Sequence, residues 1–289
     1  MCRLFGLLTA EQDAAETWLV RSDRSLLAQS HATPETAQRD GWGIGWFAAG
    51  GRVHVVKGIR GAFDPTERER FVATARASVA PLVLGHLRHA SNPLGLPPEQ
   101  LLGEENSQPF ETHRRLFVHN GAIPFPRETR PFLGVHEGAP KGVNDSEVLF
   151  WLLQRNADET RDPLRGYVQS VEDLVRVWQG VGRPARVPPF SGLNVLYATG
   201  PGELWAFCLW TGDHGPGLLD PGRRYYEMAY LASPHRLVVG SEPFDRERGR
   251  WTSLASGRYL HAVLDGRRVE LSTGAIPLPG ALEVGPAAV

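Results

Sequence analysis

The chain has 289 residues, 42% of them hydrophobic and 22% charged, with a formal net charge of −1 at pH 7. This composition supports a buried core and excludes a disordered protein, and the balanced charge argues against nucleic-acid binding. No apolar run approaches the ~20 residues that cross a bilayer, so we expect no membrane association. Two cysteines, Cys2 and Cys208, cannot build a disulfide framework and favour a reducing, cytoplasmic setting.

The first part of the chain is expected to alternate between strands and helices. The predicted elements are a buried strand at 4–9, a broken helix at 14–29, a loop at 31–39, a hairpin over 40–57, a helix over 64–79 and a strand within 81–91. The strand at 4–9 runs at once into acidic residues without a cleavage site, which argues against a secretion signal. The helix begins with Asp64 at its N-cap and Pro65 in its first turn.

The remaining chain becomes rich in strands. The predicted elements are a loop at 92–105, a strand at 116–121 ending in an Asn120-Gly121 turn, a helix with a capping box from Asn144 to Glu147, a helix at 171–178, and strands at 193–198, 203–210, 226–232, 237–241, 258–264 and 269–271. We therefore expect a single α+β domain over residues 1–275, with helices covering antiparallel sheets, and a frayed tail over 276–289.

Cys2 directly follows the initiator Met1. Removal of Met1 leaves a free α-amine beside the thiol, and this amine can act as the general base that activates it. An inert buried thiol and a lipidation site are the alternatives for a cysteine at this position.

Other segments carry groups that an attack on an amide needs. The Asn120 side chain and the Gly121 N–H can form an oxyanion hole, although Asn-Gly is also the commonest pair in a tight hairpin turn. Arg88, at the polar end of a strand, can bind a carboxylate with two hydrogen bonds or form only a surface ion pair. Asp145, in the first turn of a predicted helix, can accept from an ammonium group or stabilise the helix N-terminus.

The histidines do not predict a metal site. His86 and His89 lie three residues apart on one predicted strand, so their rings point to opposite faces, and His119 belongs to another strand. We therefore expect no metal ligand set. Cys208 lies in an apolar strand and is expected to fill the core.

Short motifs follow one another along the chain. They are Met1-Cys-Arg-Leu-Phe-Gly6, Asp40-Gly-Trp-Gly-Ile-Gly45, His86-Leu-Arg-His-Ala-Ser91, Asn106-Ser-Gln-Pro-Phe110, His119-Asn-Gly121, Asn144-Asp-Ser-Glu147 and Ser241-Glu-Pro243. In this order they resemble the class II glutamine amidotransferases, which are N-terminal nucleophile (Ntn) hydrolases. The chain is most similar to the stand-alone branch that includes the ergothioneine-pathway γ-glutamyl hydrolase and the glutathione-degradation amidotransferase.

The resemblance implies a fold and a nucleophile. The family fold is a four-layer αββα sandwich, in which two antiparallel sheets lie between helical layers. Cys2 would be the nucleophile and its freed α-amine the base. Asn120 and Gly121 would form the oxyanion hole.

The resemblance also implies the substrate-binding residues. Arg88 would clamp the substrate α-carboxylate, with Ser91 close by, and Asp145 would hold the α-ammonium. Trp42, in the glycine-rich motif, is expected to shape the pocket.

Two positions depart from the family pattern. Gln108 stands where many relatives have His, and His89 follows Arg88 where the glutaminase domains of larger synthases commonly have Trp. We expect His89 to alter the pocket rim, and both changes to weaken a strict preference for free glutamine.

The predicted activity is that of a Cys-dependent amidohydrolase. It cleaves a γ-glutamyl amide bond, in glutamine or in a small-molecule γ-glutamyl conjugate, through a γ-glutamyl thioester and releases glutamate. It is expected to need no metal or organic cofactor. Because the resemblance runs from residue 1 to about 265, no synthase domain is expected. The alternatives are a glutaminase subunit that passes ammonia to a separate synthase partner and an inactive binding protein of the same fold. The protein partner would be such a synthase or a second copy of the chain in a homo-oligomer.

Overall fold

The computed structural model describes residues 2–11, 15–90, 92, 94–247 and 249–278. The strands in this part of the chain are β1 (Arg3–Thr9), β2 (Trp42–Phe47), β3 (Val53–Gly58), β4 (Leu82–Leu87), β5 (Phe110–Thr112), β6 (Arg115–Gly121), β7 (Leu193–Gly200), β8 (Glu203–Cys208), β9 (Met228–Ser233), β10 (Arg236–Gly240), β11 (Thr252–Leu254), β12 (Arg258–Asp265) and β13 (Arg268–Ala275). They form two antiparallel sheets, one of seven strands in the order β11-β9-β10-β1-β4-β2-β3 and one of six in the order β13-β12-β8-β7-β6-β5.

Helices cover the outer faces of the two sheets. The helices of the described residues are α1 (Leu26–Gln29), α2 (Pro65–Ala77), α3 (Pro98–Leu101), α4 (Pro126–Thr129), α5 (Asp145–Thr160) and α6 (Pro163–Gly180), with a π-helical turn at Thr17–Arg21 and 3₁₀ turns at Ala49–Gly51, Glu104–Asn106 and Arg130–His136. The π-helical turn, α1 and α2 pack on the seven-stranded sheet, and α5 and α6 pack on the six-stranded sheet. None of these helices is long and apolar enough to cross a membrane.

The core between the sheets follows the alternation of side chains along each strand. Leu4 and Leu8 of β1 face Leu116 and Val118 of β6 across this core. Phe5 of β1 points the other way, into the apolar layer beneath the outer helices. The predicted α+β class and the four-layer αββα arrangement are thereby confirmed.

Several local predictions are also confirmed. Strands β2 and β3 pair as the expected hairpin. The Asp64 carboxylate caps α2 by accepting from the Thr66 N–H, and Pro65 occupies the first turn. The apolar stretch after Cys2 forms the buried strand β1.

Two local predictions are wrong. Asn120 and Gly121 do not form a turn, because they are the last residues of β6 and pair with β7. Asn144 does cap α5, by accepting from the Ser146 N–H. The capping box is not formed, because the Glu147 carboxylate accepts instead from the N–H groups of residues 141 and 142.

The last described strand, β13, ends at Ala275. Residues 279–289 lie outside the described residues. The division between a domain at 1–275 and a tail at 276–289 therefore stays a prediction.

Candidate active site

Cys2 stands at the head of the central strand of the seven-stranded sheet. It immediately precedes β1, which has three strands on either side. The residue Cys2 is partly exposed, and its Sγ donates toward the carbonyl oxygen of His89 at 3.6 Å. Strands β1 and β4 are antiparallel, with Arg3 opposite Leu87. The residue before Arg3, Cys2, therefore lies beside the residue after Leu87, Arg88.

Arg88 is buried where β4 ends, not exposed in a surface ion pair. Its Nη1 donates to the backbone carbonyl of Asp40 at 3.1 Å. The Asp40 carboxylate in turn accepts from the Ala90 N–H at 2.8 Å. Asp40, at the start of the glycine-rich motif, therefore fixes both the guanidinium and the backbone that follows it.

Trp42 does not shape the pocket, contrary to our expectation. It lies on the outer face of the sheet, where its Nε1 donates to Glu67 at 2.8 Å and its ring packs edge-on against Phe71. Trp42 pairs with Leu87, whose side chain shares that outer face, whereas the next residue, Arg88, points to the other side. The period-two alternation of strand side chains thus separates Trp42 from the site.

The end of β6 brings Asn120 and Gly121 to the same region. The Asn120 side chain is buried, and among the described residues neither its Nδ2 nor its Oδ1 has a hydrogen-bond partner. An amide left unpaired away from water costs free energy, so such a group is typical of a ligand site. At Gly121 a Cβ atom would overlap the Gly192 carbonyl, so the close approach of β6 to the backbone at Gly192 requires glycine.

Gln108 holds the backbone that precedes Asn120. Its Oε1 accepts from the His119 N–H at 2.6 Å, and its Nε2 donates to the His119 carbonyl at 3.1 Å. The backbone of Gln108 lies so close to Gly43 of β2 that a Cβ there would overlap the Gln108 carbonyl oxygen. Gln108 therefore links the two sheets at the site, since its side chain bonds to β6 and its backbone lies against β2.

The His119 ring ties β6 to the second sheet and to α5. Its Nε2 lies 3.0 Å from the Gly192 carbonyl and its Nδ1 2.9 Å from the Ser146 hydroxyl. A carbonyl can only accept, so Nε2 carries the proton and Nδ1 accepts from Ser146. Burial lowers the pKa of His119 to about 4, which keeps the ring neutral at physiological pH.

Asp145 is buried in the first turn of α5, where its Oδ2 accepts from the Ile123 N–H at 2.7 Å. The turn before it is held by Asn106, whose Oδ1 accepts from the Val143 N–H and whose carbonyl accepts from the Asn144 side chain. The Asp145 carboxylate is near enough to act electrostatically on the Cys2 thiol.

These elements enclose one pocket, which we call the main pocket. Its polar lining consists mainly of Cys2, Arg88, Gln108, Gly121, Asn144 and Ser146, and its apolar lining of Leu94, Leu96, Leu101 and Val143. The volume within it that the centre of a water-sized sphere can occupy is about 20 Å³. Asn120 and Asp145 lie behind this lining, each next in sequence to a lining residue. Ser91 and Met1 lie outside the described residues.

The two cysteines differ in environment. Burial raises the pKa of the Cys2 thiol, and the charge of Arg88 acts in the opposite direction. A thiol with a raised pKa is protonated at neutral pH and needs a base before it can attack. Cys208 is fully buried between the sheets, where burial also raises its pKa, and both cysteines are free.

The histidines do not converge on one point. Both ring nitrogens of His119 are hydrogen-bonded, His89 is exposed, and His86 is buried. Within the described ranges, no group of three or more His, Cys, Asp or Glu side chains is arranged to hold a metal ion.

Residues 1–208 match the family model for glutamine amidotransferases class-II. The chain belongs to this family. The class-II glutamine amidotransferases are Ntn-type amidohydrolases, and the reaction class of the family is hydrolysis or transfer of a glutamine amide. The family membership predicted from the motifs is confirmed.

Solved structures of low sequence identity share the fold. The chain is similar to a glutamine aminotransferase class-II domain protein from Silicibacter pomeroyi, with a TM-score of 0.60, 20% identity, and coverage of 96% of this chain and 100% of that chain. It is also similar to the glutamine phosphoribosylpyrophosphate amidotransferase from B. subtilis, with a TM-score of 0.57, 18% identity, and coverage of 96% of this chain and 50% of that chain. This chain thus spans half the length of that amidotransferase. No curated protein sequence matches it.

Sequence reasoning missed two positioning residues. Asp40 and Asn106 lie within quoted motifs, but their side chains act on backbone groups far away in sequence. The sequence feature that could have indicated this role is that both polar residues lie next to the boundary of a predicted strand or loop. Nothing in the pattern indicated which N–H groups they would bind.

Proposed function

We propose that the protein is a γ-glutamyl amidohydrolase with Cys2 as its nucleophile. The observation that carries this proposal is the main pocket, which is lined by the partly exposed residue Cys2 and the buried Arg88, with the unpartnered amide of Asn120 next in sequence to the lining residue Gly121. These are the groups that an attack on the amide of a zwitterionic amino acid requires. Family membership supports the same reaction class.

The substrate's amino-acid end would bind by charge. The Arg88 guanidinium, oriented by the Asp40 carbonyl, pairs with the α-carboxylate. The Asp145 carboxylate, oriented by the Ile123 N–H, pairs with the α-ammonium. This places the side-chain carbonyl of the glutamyl group toward Cys2.

The chemistry then proceeds in two halves after Met1 is removed. The freed α-amine takes the thiol proton, and the thiolate forms a C–S bond to the γ-glutamyl carbonyl carbon. The Asn120 side-chain N–H and the Gly121 N–H stabilise the oxyanion of the tetrahedral intermediate. The resulting ammonium returns its proton to the departing amine as the C–N bond breaks, leaving a γ-glutamyl thioester. Water adds to this thioester, the C–S bond breaks, and glutamate and the free thiol are regenerated.

The proposal is tested by measuring glutamate release by the purified protein. An intact-mass measurement first confirms that Cys2 is the N-terminal residue. The substrates are glutamine and a panel of γ-glutamyl amides. Cys2→Ala should lower the rate by at least about 10⁴-fold, because the nucleophile is lost. Cys208→Ala, which changes the buried cysteine, should keep the activity. Release that survives in Cys2→Ala, or none from any substrate by the processed protein, contradicts the proposal. Release from glutamine alone would favour a glutaminase subunit.

A further inference from the structure

The main pocket has more apolar lining than ammonia as a leaving group would need. Leu94, Leu96, Leu101 and Val143 line the same pocket as Cys2. Ammonia presents no apolar surface, so burying it gains nothing from such a lining. An apolar substituent on the leaving amine would gain free energy in proportion to the area it buries.

A second pocket, which we call the side pocket, adjoins the main pocket. Leu94, Leu96 and Val143 line both, so these side chains form their common border. Beyond this border the lining of the side pocket is Gln100, Pro126, Arg127, Arg130, Gly142 and Val148. It therefore combines apolar surface with two guanidinium groups.

The charge of the side pocket is positive. Arg130 is half-buried and donates from Nη2 to the Pro140 carbonyl at 3.3 Å, which orients it, while Arg127 is exposed. None of the described residues that line either pocket is acidic. An anionic group on the leaving amine would find complementary charge here without a competing carboxylate.

We propose that the substrate is a γ-glutamyl dipeptide whose second residue is an apolar amino acid with a free α-carboxylate. This inference rests on the proposed function. The apolar side chain packs on Leu94, Leu96 and Val143, and the carboxylate pairs with Arg127 and Arg130. Hydrolysis breaks the isopeptide C–N bond with one water and releases glutamate and the apolar amino acid.

Four substrates separate the contributions of the apolar side chain and of the carboxylate of the leaving group to kcat/KM. They are γ-glutamyl-leucine, γ-glutamyl-leucine amide, γ-glutamyl-glycine and glutamine. The kcat/KM of γ-glutamyl-leucine should exceed that of γ-glutamyl-glycine by about tenfold, because the leucine side chain buries apolar area. It should exceed that of the leucine amide by about tenfold, because the amide lacks the charge that the arginines bind.

Variants locate these preferences in the side pocket. Arg127→Gln combined with Arg130→Gln should bring γ-glutamyl-leucine and its amide to within about twofold of each other, since the charge pairing is gone. Leu96→Ala should reduce the leucine-over-glycine preference by several-fold. Arg114→Gln, an exposed arginine in the β5–β6 turn, is the matched control and should leave both ratios unchanged.

The outcomes distinguish this inference from the function on which it rests. Equal use of all four substrates, or ratios that the side-pocket variants do not change, would overturn the inference while the γ-glutamyl hydrolase stands. Absence of glutamate release from every substrate would overturn the proposed function and this inference with it.

Discussion

The polar and apolar linings of the main pocket are built in different ways. Arg88 and Gly121 lie at strand ends, where sheet hydrogen bonds and buried side chains fix the backbone. Leu94 and Leu96 lie in the loop between β4 and α3, which begins two residues after Leu96. Their backbone is therefore not held by hydrogen bonds of a β-sheet. In the function that we propose, the bond-breaking groups therefore lie on ordered strand ends, whereas the residues that contact the leaving group lie mainly in loops, which tolerate sequence change.

Among the polar groups at the site, removal of the Asn120 amide should have the largest effect on activity. Asn120→Ala is expected to lower kcat by about 10²–10³-fold, as loss of one oxyanion donor does, with little change in KM. Because the amide has no partner among the described residues, its removal should not reduce thermal stability. Steady-state kinetics and a melting curve test this. A kcat within about threefold of the wild type would exclude the oxyanion role.

Changing Arg88 should affect substrate binding. Arg88→Lys keeps the charge but loses two-point recognition of the carboxylate, so kcat/KM for glutamyl substrates should fall by about 10- to 100-fold. The control is 4-aminobutanamide, which lacks the α-carboxylate and should be used equally by both proteins. If the variant loses as much activity on this amide as on glutamine, Arg88 acts on the fold and not on the carboxylate.

A substitution of Gln108 tests whether activity depends on the hydrogen bonds that hold the backbone beside Asn120 and Gly121. Gln108→Ala removes both hydrogen bonds to the backbone of His119, which should cost about 1–3 kcal/mol of stability. We expect kcat to fall by about tenfold, because Asn120 and Gly121 are less well held. Chemical denaturation and kinetics measure the two effects. Gln179→Ala, at an exposed position of α6, is the control and should leave kcat unchanged.

The buried histidines should make the fold sensitive to mild acid. His119 is neutral when folded, with a pKa of about 4, and takes up a proton on unfolding below its ordinary pKa of 6.5. Its stabilisation is therefore complete above pH 6.5 and is lost as the pH falls toward 4, by roughly 3 kcal/mol. Burial also lowers the pKa of His86 well below its ordinary value, in the same direction.

Urea unfolding at a series of pH values measures this dependence. His119→Gln should give a shallower slope of unfolding free energy between pH 6.5 and 4 than the wild type. His113→Gln, in the exposed β5–β6 turn, should keep the wild-type slope. Equal slopes in all three proteins would show that His119 does not take up a proton on unfolding.

Local patterns predicted most of the elements because they depend on neighbouring residues alone. The positions of the long helices α5 and α6 and of the strands after residue 192 other than β11 agree with the prediction, although α5 and α6 proved longer than expected. Strands β5 and β11 were not predicted, because three residues are too few to display a period. Their formation depends on the partner strand beside them.

The sequence by itself determined the order of the motifs, the family and the residue types of the polar lining. Only the tertiary structure decided which side of each strand those residues occupy, so that Trp42 faces the outer helices and Arg88 faces Cys2. It also decided that Leu96 and Val143, which belong to separate loops, border both pockets. Motifs are short-range features of the chain, whereas burial and pocket lining arise from contacts between residues far apart in sequence.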